Sequence, residues 1–287
     1  MKLSIRHRIE YHYDRPVFLQ PHVFRLRPRS EPALHLLRFT LDLHPQPAVR
    51  AEHLDLHGNT VTEAWFDAMT TALVVESRSV VETMPDNPFA FLLAEPDRTL
   101  PEPYGARLAA ALSSCRRVQN AVHPQVREMA AAVGSAVQWR PERFPLALAM
   151  HLHRTVATEV RESATLRPSE MTLALGRGSG ADVAALFVDG CQAAGLAARF
   201  VAGYYVDPEA EAGADGSWQL HAWGEVYLPG GGWRGYDPVS GLAISGSHIA
   251  IAVGGDADEA APLSGTCLGG TASVLEASLE IQPLGGE

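Results

Sequence analysis

With 287 residues, the chain has the length of two domains and can bury a core that needs no covalent staples. Its 46% hydrophobic and 20% charged residues are the make-up of a soluble globular protein. A net charge of −10 and a pI near 5.6 exclude the basic footprint of a nucleic-acid-binding protein.

The opening MKLSIRHRIEYHY places Leu3, Ile5, Ile9, Tyr11 and Tyr13 on one parity, the period of a half-buried strand. It has no continuous apolar stretch of the signal-peptide kind. Phe39, Leu41 and Leu43 repeat the pattern, as does the run Leu73, Val75, Ser77, Ser79 and Val81. Between these runs, His57-Gly58-Asn59 has turn chemistry, because Gly and Asn both tolerate positive φ. Breakers cluster at Pro85-Asp86-Asn87-Pro88 and Pro101-Glu102-Pro103, which predicts a β-rich domain over 1–100 and a second domain over 101–287.

From residue 105 the pattern turns helical, at Ala106 to Leu112, Gln125 to Val137 and Leu146 to Val160. Gly176-Arg177-Gly178-Ser179-Gly180 then leads into a helix over Asp182 to Ala194, closed by Gly195. Strands follow at Ala198 to Val206, His221 to Leu228 and Gly232 to Tyr236, with further short apolar runs at His248 to Val253 and Val274 to Ile281. The three cysteines (Cys115, Cys191, Cys267) are odd in number and far apart, forming neither a disulfide framework nor a metal-spaced cluster. No metal and no cofactor are expected. No run approaches the roughly 20 apolar residues of a membrane helix, so a cytoplasmic protein with no membrane or nucleic-acid partner is expected.

Three segments carry the chemistry: GRGSGADVAALFVDGCQAAGLAARFVAGYY (176–205), HAWGEVYLPGGGWRGYDPVSG (221–241) and HIAIAVGGDADEAAPLSG (248–265). In order and spacing they resemble the bacterial transglutaminase-like family of papain-type cysteine hydrolases. The family motif runs Gly-x-Cys-x-Asp, a helix, Gly-x-x-Ala-Arg and a Gly-Tyr strand, then His-Ala-Trp-x-Glu, a Pro-Gly-x-Gly-Trp turn and Asp-Pro. The first hundred residues resemble the β domain that precedes the core in bacterial members, through His7 to Tyr13, Arg25-Leu26-Arg27-Pro28 and Gly58-Asn59. The resemblance implies an α+β fold in two parts, an N-terminal β domain and a papain-like core. It also makes His221 the base, Asp237 its orienter, and Trp223, Trp233, Asp182 and Tyr204 the walls of a substrate cleft.

The nucleophile position departs from the family. Counting back from Asp182, the expected cysteine falls on Gly180, which has no side chain. Ser179, one residue earlier, is the candidate substitute, although a neighbour at i−1 points about 100° away on a helix. Cys191 lies about 16 Å along the helix and reads as a buried hydrophobe. The family's Gly-Arg-Asp-Tyr is Gly254-Gly255-Asp256-Ala257 here, and Ala181 follows the nucleophile position where a large polar residue is usual. These losses predict a pseudoenzyme that binds a peptide, amide or partner protein. The alternatives are an active amidohydrolase, peptidase or acyltransferase using Ser179 or a water activated by His221, and a scaffold for an active paralogue. His151 and His153 are two apart in a helix and face different sides, a poor pair of metal ligands.

Overall fold

The computed structural model describes residues 1–84, 87–117, 121–160, 165–206, 218–269 and 272–284. Pro85 and Asp86 of the first breaker cluster lie outside the described residues. Six strands open the chain: β1 (Lys2–Leu19), β2 (His22–Phe24), β3 (Leu34–His44), β4 (Val49–Leu54), β5 (Thr60–Trp65) and β6 (Met69–Thr83). The alternation at 3, 5 and 9 buries those side chains on one face of β1, while Arg6 and Arg8 on the other face pair with Glu76 of β6.

Next come α1 (Ala106–Ala111), α2 (Pro124–Ala136) and α3 (Phe144–Thr155). They are followed by β7 (Ala157–Thr158), α4 (Ser169–Leu175), β8 (Arg177–Gly178) and α5 (Gly180–Ala193). The helix expected to reach Val160 stops at Thr155, where Val156 turns extended and Ala157 and Thr158 pair in parallel with Arg177 and Gly178. Short α4 has no counterpart in the sequence expectation. Four antiparallel pairings join β9 (Ala198–Val206), β10 (Trp218–Leu228), β11 (Gly232–Asp237), β12 (Leu242–Ala243) and β13 (His248–Gly254) in the order β12-β11-β10-β9-β13.

Helix α5 lies against one face of this sheet and buries Val183, Leu186 and Phe187 fully, each contributing about 1.5–3 kcal/mol by removal from water. Gly224 on β10 has no Cβ because the Phe187 ring occupies that space. The helix closes at Gly195, whose φ of +92° and contact with the Pro101 backbone both call for glycine. The architecture is α+β, as the family resemblance implied.

The chain end returns to the beginning. Strands β14 (Leu263–Ser264), β15 (Cys267–Leu268) and β16 (Ser273–Pro283) pair with β2, β1 and β1 respectively. Residues grouped by sequence with the second domain thus complete the sheets of the first. The two regions also share one hydrophobic cluster, from Leu3 through Leu148 to Ile251. The Gly58-Asn59 turn is a clamp at their junction. Asn59 is fully buried and exchanges hydrogen bonds with the backbone N–H and C=O of Val253, at 2.9 and 2.7 Å.

Candidate active site

The site has a helix half and a sheet half. On the helix side, Ser179 is the N-cap of α5 and Gly180 its first residue. Ser179 Oγ accepts from the Asp182 N–H at 3.1 Å, and Asp182 Oδ2 accepts from the Ser179 N–H at 2.8 Å, a reciprocal capping box. Asp182 Oδ1 also accepts from the Arg167 N–H at 2.7 Å, and the residue is fully buried. Asp182 is therefore an element of the helix start rather than a cleft wall. The oxygen of Ser179, the candidate substitute nucleophile, is engaged in the same cap.

Gly180 has room for a side chain. A Cβ there would sit 3.7 Å from Val239 Cγ2 and 4.0 Å from His221 Nδ1, both ordinary contacts. A thiol at this place would meet the positive end of α5 and an imidazole nitrogen together, the two influences that stabilise a thiolate.

The sheet half follows from strand parity. Register places His221 opposite Gly203, Trp223 opposite Val201 and Glu225 opposite both Arg199 and Gly235. His221, Trp223 and Glu225 therefore share one face of β10, and Asp237, two residues beyond Gly235, joins that face from β11. His221 Nε2 lies 3.1 Å from Asp237 Oδ2, while Asp237 Oδ1 accepts from the Val239 N–H at 2.8 Å. His153, on α3, holds the same segment through Nδ1, 2.7 Å from the Val239 carbonyl oxygen.

A third group, absent from the sequence expectation, completes the cluster. His248, the first residue of β13, brings Nε2 to 3.5 Å from the same Asp237 oxygen. Burial lowers the pKa of His248, and the carboxylate only partly offsets this. Burial would raise the pKa of Asp237, but contacts with the two imidazoles and their charge outweigh it and hold the carboxyl far below its usual range.

The expected aromatic walls divide. Trp223 is 2% exposed, stacks near His221 with ring centroids 6.4 Å apart, and meets His248 edge-on at 5.1 Å. Trp233 instead carries the Arg199 guanidinium 4.1 Å above its ring, and Arg199 pairs with buried Glu225 at 2.6 Å. A cavity of about 110 Å³ runs along this face, lined by both tryptophans, Glu225, His248 and Glu31. Tyr204 does not reach the site. It is 1% exposed on the opposite face of β9, and its hydroxyl lies 3.1 Å from His7 Nδ1 of the N-terminal sheet. Its neighbour Tyr205 has the right parity, with its ring 5.7 Å from His221 and 5.0 Å from His248. Alternation along β9 held the clue to Tyr205, whereas His248 announces itself only by heading the third segment. Cys191 is fully buried, and its thiol pKa is raised by that burial.

The model of the bacterial transglutaminase-like N-terminal region matches residues 3–82, and that of the transglutaminase-like superfamily matches residues 135–238. No curated protein matches the chain. Among solved structures, a candidate cysteine protease from Cytophaga hutchinsonii aligns with a TM-score of 0.72 at 19% identity, over 100% of this chain and 92% of that one. The periplasmic domain of TgpA from Pseudomonas aeruginosa aligns with a TM-score of 0.39 at 15% identity, over 81% and 87%. Among the described residues, no helix is long and apolar enough to cross a membrane. Residues 3–82 thus form a bacterial transglutaminase-like N-terminal region, and residues 135–238 belong to the transglutaminase-like superfamily.

Proposed function

We propose that this chain is a binding member of its family, one that holds a peptide, amide or partner protein without forming an acyl-enzyme. One observation carries the reading: a Cβ at position 180, the first residue of α5, would lie 4.0 Å from His221 Nδ1, where a nucleophile belongs, yet the residue is glycine. Without a nucleophilic side chain there, covalent acyl transfer has no atom to begin from. His221 and Asp237 then hold the geometry of the cleft, with Trp223 and Tyr205 as its aromatic lining.

A competing reading is hydrolysis by a water beside His221 Nδ1, favoured by the open space at Gly180. Ser179 is the weaker route, since its oxygen already serves the cap. Titration calorimetry against a library of peptides and glutamine amides, run beside a turnover assay, separates the two. Binding without turnover supports the proposal. Turnover by the native protein that vanishes in His221→Ala would sink it.

A scaffolding role beside an active paralogue is a special case of partner binding, tested by co-purification from the native host. The three unpaired cysteines suit the reducing cytoplasm, where we place the protein. Cell fractionation tests this, and recovery in the periplasm would contradict it.

A further inference from the structure

We propose that His221, Asp237 and His248 form a binding site for a divalent transition metal, with zinc the best match. Their ligand atoms all lie within 4.8 Å of one another. The two Nε2 atoms approach Asp237 Oδ2 at 3.1 and 3.5 Å. A tetrahedral zinc with bonds of about 2.0–2.1 Å has ligand–ligand edges of about 3.3–3.4 Å, which these two distances bracket.

The hydrogen-bond inventory points the same way. Both Nε2 atoms are buried and approach the carboxylate oxygen without the alignment of an ordinary N–H···O hydrogen bond. Poorly aligned buried polar atoms are costly, and here two ring nitrogens converge on one anionic oxygen. A cation at their centre would satisfy all three groups at once.

The surrounding contacts are of the kind that orient metal ligands. His248 Nδ1 lies 3.0 Å from Ser247 Oγ. When Nδ1–H donates to that hydroxyl, Nε2 turns a lone pair toward Asp237, a repulsive arrangement unless a cation lies between. The other Asp237 oxygen is held by the Val239 N–H, and Trp223 packs against both imidazole rings. Two imidazoles and one carboxylate form a borderline donor set that suits zinc or cobalt over magnesium or calcium. His221 would bind through Nε2 while Nδ1 still faces Gly180, so the metal and the cleft would use different nitrogens of one ring. Three protein ligands leave a fourth position for water or an exogenous donor.

The chelator-stripped 287-residue chain is titrated with Zn²⁺ and Co²⁺, followed by calorimetry and by the visible d–d bands of cobalt. One equivalent is expected to bind with four- or five-coordinate cobalt bands and a raised Tm. His248→Ala should weaken binding by more than about 100-fold, beyond the 10–100-fold loss usual for an outer-shell partner. His57→Ala, which removes a half-buried imidazole paired with Glu259, should leave binding unchanged. Failure to bind at 100 µM metal, or binding untouched by His248→Ala, overturns the proposal. X-ray absorption of the zinc-loaded native protein keeps the test independent of variant folding. A nitrogen and oxygen shell with imidazole scattering supports the site, and a sulfur ligand contradicts it.

Discussion

The two halves of the site are built on different physics. The helix half is held by short-range backbone capping, with Ser179 and Asp182 closing the start of α5 around a residue that has no side chain. The sheet half is a buried charged layer from four strands, with His221, Asp237, His248, Arg199 and Glu225 all less than a tenth exposed or nearly so. A capping box needs four consecutive residues, and it survives whatever occupies its second place. The sheet layer depends on register between segments far apart in sequence, so each member depends on its partners. The position without chemistry therefore lies in the half that tolerates its loss most easily.

If that contrast is right, single deletions in the sheet half should cost most. Arg199→Ala strands the Glu225 carboxylate in a buried place and should cost about 3–5 kcal/mol in urea unfolding. Replacing both partners with Met should recover much of that loss. A small effect of Arg199→Ala would mean that the layer is wetter than its burial indicates.

The layer also rests on the N-terminal sheet behind it, where Tyr204 meets His7. Burial pushes the His7 pKa down from 6.5 to about 4. The unfolded chain therefore binds more protons between those values, and stability falls as pH drops from 6.5 through 4. The loss should reach about 3 kcal/mol. His7→Gln should flatten the slope of the urea midpoint against pH across that window, and an unchanged slope would assign it to other groups.

The helix half should respond least. Asp182→Ala leaves the Ser179 and Arg167 amides without their acceptor and should cost about 2–3 kcal/mol in thermal unfolding. Ser179→Ala removes only the hydroxyl cap, at about 1 kcal/mol, and should leave ligand binding intact. Lost binding in Ser179→Ala would return this residue to the cleft.

Much of this was legible in the chain. The Pro-Gly-x-Gly-Trp turn joins β10 to β11, and His221 meets Asp237 as the resemblance implied. Parity along β1 likewise gave its buried face. The errors share a cause. Tyr204 and Tyr205 are adjacent, so an offset of one residue moves the predicted ring to the wrong face of the sheet. Asp182 follows the nucleophile position in the motif, and only the fold reveals a carboxylate turned back onto two backbone amides. His248 and the strand from Ser273 to Pro283 take their roles from pairings with β9 and β1, which no local pattern encodes.

The central claim is that the cleft lacks only a nucleophile. It is tested most directly by the rate of iodoacetamide labelling of Gly180→Cys across pH, in a Cys267→Ser background because Cys267 is the half-exposed native thiol. If the geometry is as described, the new thiol reacts well below the ordinary cysteine pKa of about 8.5, and His221→Ala slows it sharply at neutral pH. A thiol that titrates normally and ignores His221→Ala would contradict the account.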